Sequence, residues 1–120
     1  MNHQYSFENL NVWQVARSFT VKIYKTTERF PDIEKFGIVS QLRRASISIC
    51  SNIAEGNSRI SPKERAHYFQ IAYSSTMEVL NQLIIASDLE FLSEKELSEF
   101  RNSIDEISNK LNALYKKQLN

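Results

Sequence analysis

From Leu97 to Leu114 the apolar residues recur at alternating steps of three and four: Leu97, Phe100, Ile104, Ile107, Leu111 and Leu114. That period puts all six on one face of an α-helix, whereas a strand would scatter them over both faces of a sheet. The stripe is about 100° wide, which suits a helix that serves a single core. Just upstream, "SEKE" reads as a capping box, with Ser93 as the cap and Glu96 reaching back to it.

The same period recurs three times before it. A first segment, about 9–30, sets Val12, Ala16, Phe19, Ile23 and Phe30 on one face with Thr26 at the missing step. Pro31 ends it, because the residue before a proline is pushed out of the helical region. A second, about 32–56, turns Ile38, Leu42, Ala45, Ile49 and Ile53 inward, and Gly56 is expected to close it in the left-handed conformation. The third, about 62–90, opens at "SPKE", where Ser61 caps, Pro62 suits the first turn and Glu64 completes a second capping box. The last runs over about 94–117. Two glycines and two prolines in 120 residues leave little material for tight β turns or long loops. The expected fold class is all-α: one domain over 1–120, an antiparallel up-and-down four-helix bundle with short connections.

The third helix carries more apolar surface than one core needs. Beside Phe69, Ala72, Thr76, Val79, Leu83 and Ala86 runs a second stripe of Tyr73, Met77, Leu80 and Ile84. Either this helix is the most central, or the second stripe joins Trp13 and Tyr24 in a subunit interface.

Polar residues interrupt the second helix at "ICSNIAEGNSR". Ser48, Asn52 and Glu55 are three or four apart and share one side of that helix. An architectural reading makes them an interhelical clamp, with Ser75 and Glu78 as partners, that fixes how the helices register. The competing reading turns them toward a ligand. Glu64-x-x-His67 has di-iron spacing, but such a site needs a second copy, and the remaining histidine is His3. Cys50 is the lone cysteine, which removes intrachain disulfides and cysteine zinc clusters and leaves it as a small core residue. No catalytic residue, metal ligand, cofactor or small-molecule substrate is expected, and the chain is expected not to be an enzyme.

Net charge is +1, yet it is segregated. Residues 17–65 carry ten lysines and arginines against five acids, and residues 77–106 carry eight acids against Lys95 and Arg101. Such a molecule can bind a polyanion or pair with copies of itself. Arg43 and Arg44 are expected to point outward, and Arg59, Lys63 and Arg65 bracket the start of the third helix, where the macrodipole favours phosphate. These five are the candidate nucleic-acid contacts. No apolar run is long enough for a membrane span and "MNHQYSFENL" is no signal peptide, so a soluble cytoplasmic protein is expected.

The phrase "QLRRASISICSNIAEGNSR" resembles the four-helix-bundle family encoded in intervening sequences of bacterial large-subunit ribosomal RNA genes. The residues that carry the likeness are Leu10, Val12 and Trp13, then Arg43, Arg44 and the run from Ser51 to Gly56, then Ala72, Ser75 and Glu78. Cys50 stands where that family often has proline, and Tyr73 with Ser74 replace a common arginine-glycine pair. The resemblance implies a bundle that assembles into a ring, with homopentamers among relatives, and no established enzymatic activity. Similar proteins are accessory variability proteins of diversity-generating retroelements, which bind a reverse transcriptase and nucleic acid through a basic barrel. The expected function is therefore a homo-oligomeric scaffold binding structured RNA or a ribonucleoprotein. The alternative is a protein-interaction module without nucleic-acid binding.

Overall fold

The structure is a computed structural model that describes residues 2–120. The described residues are all-helical, with no strand among them: α1 (Asn11–Thr27), α2 (Ile38–Ser58), α3 (Pro62–Asp88) and α4 (Glu94–Leu119), with short 3-10 turns at Ser6–Asn9 and Asp32–Glu34. Each long helix borders two others. Helix α1 lies against α2 and α4, and α3 against the same two, so α1 faces α3 across a diagonal. This neighbour pattern is consistent with a four-helix bundle. No described helix is long and apolar enough to cross a membrane.

The four stripes meet in one core. Phe19 and Ile23 of α1, Leu42, Ile49 and Ile53 of α2, Phe69, Val79 and Leu83 of α3, and Phe100, Ile104, Ile107 and Leu111 of α4 are all buried. Phe19 and Phe100 pack edge to face with ring centres 5.7 Å apart. Thr76 sits in this apolar layer because its hydroxyl donates to the Ala72 carbonyl at 2.8 Å and so is not left unpaired.

Helix ends depart from the periodic stripes for local reasons. Helix α1 stops at Thr27, short of Phe30, where the Thr27 hydroxyl donates to the carbonyls of Ile23 (2.7 Å) and Tyr24 (3.2 Å). Such back-bonding competes with the helical ladder. Helix α2 starts six residues later than expected, because residues Asp32–Glu34 form their own turn and Gly37 takes a non-helical conformation as the N-cap. The Ser93 capping box is complete in both directions. At Ser61 only half of the expected box forms: the Ser61 hydroxyl accepts from the Glu64 N–H, while the Glu64 carboxylate turns toward Arg59.

The expected role of Gly56 is corrected. No glycine has a positive φ, and α2 runs through Gly56 to Ser58 before Arg59 becomes extended. Space, not backbone freedom, demands glycine here. A Cβ at Gly56 would lie 2.8 Å from Phe69 Cε1 and 3.0 Å from Tyr68 Cβ, so α2 and α3 approach too closely for any side chain. The left-handed position belongs to Glu90, with φ 63°. There the Phe91 N–H donates to Ala86 and the Glu90 N–H to Ser87, the paired bonds of a Schellman ending for α3.

Candidate interaction surfaces

The five candidate phosphate contacts divide into three that are tied to the chain and two that face solvent. Arg43 turns inward, contrary to the outward direction expected of it. Its Nε donates to Thr27 Oγ1 at 3.0 Å and its Nη2 to the Tyr24 carbonyl at 3.1 Å. The cause is α1's C-terminus, where the negative end of the macrodipole attracts a cation. Arg65 does the same for α2: its Nη1 donates to the carbonyls of Asn57 and Arg59, and its Nε to Gln118. Arg59 donates to Glu55 and to the Tyr68 hydroxyl, and lies over the Tyr68 ring. Arg44 and Lys63 are exposed and form no ion pair among the described residues.

Of the candidate clamp residues, the fold brings three together. Ser48 and Ser75 share a hydrogen bond of 2.9 Å between α2 and α3, and the Asn52 amide donates to Ser48 at its carbonyl (2.8 Å) and hydroxyl (3.1 Å). Glu55 and Glu78 stand outside this group. Both are exposed; Glu55 accepts from Arg59 and Glu78 from Gln82. Cys50 lies half-buried against the core with Sγ 3.5 Å from Thr20 Oγ1, and burial pushes its thiol above the ordinary range. Among the described residues no group of three or more His, Cys, Asp or Glu side chains is placed to hold a metal ion.

The second stripe of α3 is partly absorbed by the chain itself. Tyr73, Met77 and Leu80 pack against the core, as does Trp13, which also stacks edge to face with Phe7. Ile84 and Tyr24 remain half-buried, the latter beneath Arg43.

Two surfaces escaped the periodic reading. An open groove of about 460 Å³ over the α1–α2 side is lined by Tyr24, Lys35, Phe36, Arg43, Arg44 and Ile47 among others. Phe36 is 89% exposed and Ile33, close by, 88%. The signal was a bulky aromatic in the connection "EKFG", off every stripe. At the other end, a cleft of about 610 Å³ runs between the first turns of α3 and the last of α4, lined by Lys63, His67, Tyr115 and Gln118 among others. Exposed Lys116 and Lys117 flank it in sequence.

Comparisons follow the same lines. No curated protein matches the chain. A solved structure of a protein of unknown function from the S23 ribosomal protein family, from Bacteroides thetaiotaomicron, matches with a TM-score of 0.79 at 23% identity. The match covers 88% of this chain and 98% of that one, and it shows a shared fold. The model of the 23S rRNA-intervening sequence protein family matches residues 8–113, nearly the whole helical region, and the chain belongs to that family.

Proposed function

We propose that the protein is a non-enzymatic, homo-oligomeric helical scaffold of the cytoplasm that presents one basic end to structured RNA or to a ribonucleoprotein. Its protomer is read as an antiparallel up-and-down bundle. Only residues 59–61 join α2 to α3 and residues 89–93 join α3 to α4. At roughly 3.5 Å per extended residue, neither can run back along a long helix to start a parallel neighbour. Copies are read as closing into a ring, a homopentamer on the family likeness.

The observation that carries the RNA reading is the cation-rich end where α2 closes, α3 opens and α4 closes. Lys63, Lys116 and Lys117 face solvent there, while the nearby acids Glu55 and Glu64 are both engaged by Arg59. The positive end of α3's macrodipole adds to this potential. Contacts from this end to phosphates release counterions and make affinity fall steeply with salt.

Fluorescence anisotropy with a labelled, structured RNA across a salt series tests this. Lys63→Glu with Lys116→Glu and Lys117→Glu should weaken binding and flatten the dependence of affinity on salt. The same affinity and slope in the variant would sink the RNA reading. The second reading, a protein-interaction module that binds no nucleic acid, is favoured by the exposed Ile33 and Phe36, which are more apolar than a phosphate surface requires.

A further inference from the structure

The groove over α1 and α2 is lined by both apolar and cationic side chains. Tyr24, Phe36 and Ile47 supply the apolar surface, and Lys35, Arg43 and Arg44 the charge, with no acid in its lining. Glu34, next to Lys35 in the same connection, turns its carboxylate toward Gly37, and Glu28 and Asp32 line an adjoining hollow that shares Lys35 and Arg43. Arg43 is occupied by α1, so Lys35 and Arg44 are the cations free to meet a partner.

The same chain carries the complementary surface. On α3's last turn Ile85 and Leu89, four residues apart, are 44% and 51% exposed. Asp88 and Glu90 stand beside them, exposed and without an ion pair among the described residues. Two apolar side chains flanked by two carboxylates match a groove lined by apolar side chains and two free cations. They cannot meet within one chain, because the groove lies over the α1–α2 side and α3 faces α1 across a diagonal.

Groove and knob lie at the same end of the bundle. Phe30 packs on Phe91 with ring centres 5.5 Å apart, the Gln82 amide reaches Gln41, and Arg29 pairs with Glu96. Copies related by rotation about an axis parallel to the helices meet at equal heights. We infer that the groove of one copy receives the last turn of α3 from a second copy. Ile85 and Leu89 then cover Phe36 and Ile47, while Asp88 and Glu90 face Lys35 and Arg44. The contact is heterologous, each copy offering a groove on one side and a knob on the other, so it propagates around a closed assembly. This rests on the reading of the protein as self-associating and adds which surfaces meet.

Charge reversal tests it, using light scattering coupled to size exclusion on nuclease-treated protein. Lys35→Glu with Arg44→Glu makes groove and knob both acidic, and Asp88→Lys with Glu90→Lys makes both basic. Each variant alone should associate at least about tenfold more weakly than the parent, with unchanged circular dichroism. Mixing them should restore association into pairs and alternating chains, since every groove–knob pairing between the two is again of opposite charge, while an odd-membered ring would retain one like-charged joint. A parent that assembles while both variants assemble equally well overturns this interface and leaves the scaffold reading standing. A parent that is monomeric both before and after nuclease treatment overturns both. Assembly that disappears on nuclease treatment assigns the cohesion to RNA and also overturns the interface.

Discussion

The Arg43 guanidinium lies 4.6 Å from the centre of the Tyr24 ring, and its Nη2 donates to the carbonyl of the same residue at 3.1 Å. One side chain of α2 thereby grips both the ring and the backbone of α1, and its Nε bond to Thr27 adds a third hold. The α1–α4 seam is thinner and is bridged by exposed pairs such as Lys22–Glu99, which contribute little at ordinary salt. Much of α1's attachment therefore falls to α2.

Arg43→Ala should cost about 2 kcal/mol of stability, since it removes two charged hydrogen bonds and a cation–π contact. Arg43→Lys should recover only part of this, because an ammonium cannot serve both acceptors with the planar geometry of a guanidinium. Denaturant melts of the three proteins provide the comparison. If the lysine variant matches the parent, charge alone holds α1 and the geometric account fails.

Gly56→Ala pits two effects against each other. Alanine gains about 1 kcal/mol of helix propensity over glycine. Its methyl, however, would meet the Phe69 ring at 2.8 Å, and Phe69 is wholly buried and has nowhere to go. Overpacking of this kind costs about 1–3 kcal/mol, so the variant should be less stable and melt at a lower temperature. A more stable Gly56→Ala would show that α2 and α3 can part slightly without loss.

At Glu90 the sign reverses. A glutamate at φ 63° bears the left-handed penalty of about 1–2 kcal/mol, and glycine would relieve it. Part of that gain is offset by the freedom glycine adds to the unfolded chain. Glu90→Gly should therefore stabilise by about 0.5–1 kcal/mol, read as a higher denaturant midpoint at constant m-value. A loss of stability would mean that the glutamate side chain holds the α3–α4 turn or the contact between copies.

Acid sensitivity should be traceable to Glu96. The Ser93 N–H, donating at 3.0 Å, holds this carboxyl below its ordinary range, with help from the Ser93 hydroxyl and Arg29 against partial burial. A carboxyl lowered on folding adds stability that is complete above its unfolded value of about 4.3 and is lost as pH falls through the folded value. Melting curves of the parent and of Glu96→Gln should differ at neutral pH and converge in acid. A constant gap down to strongly acid pH would rule out the charged form as the source of the difference.

The periodic stripes, the Ser93 capping box and the proline after Phe30 were enough to establish four helices, nearly the whole core and the family, because each depends on neighbours three or four residues away. The Ser48–Ser75 contact was also legible, since a polar residue facing a packed helix needs a partner. What depended on approach distance was not. Gly56 looks like a helix stop in the sequence, and only the closeness of Phe69 reveals it as a packing glycine. Arg43 and Arg44 are adjacent and chemically identical, yet one is bound to the Tyr24 carbonyl and the Thr27 hydroxyl at the end of α1 and the other is free. Their directions differ because successive helical side chains stand about 100° apart and only one of those directions meets α1. The groove and the acidic turn of α3 arise in the same way: their residues are distant in sequence, and tertiary packing alone decides which of them reach solvent together.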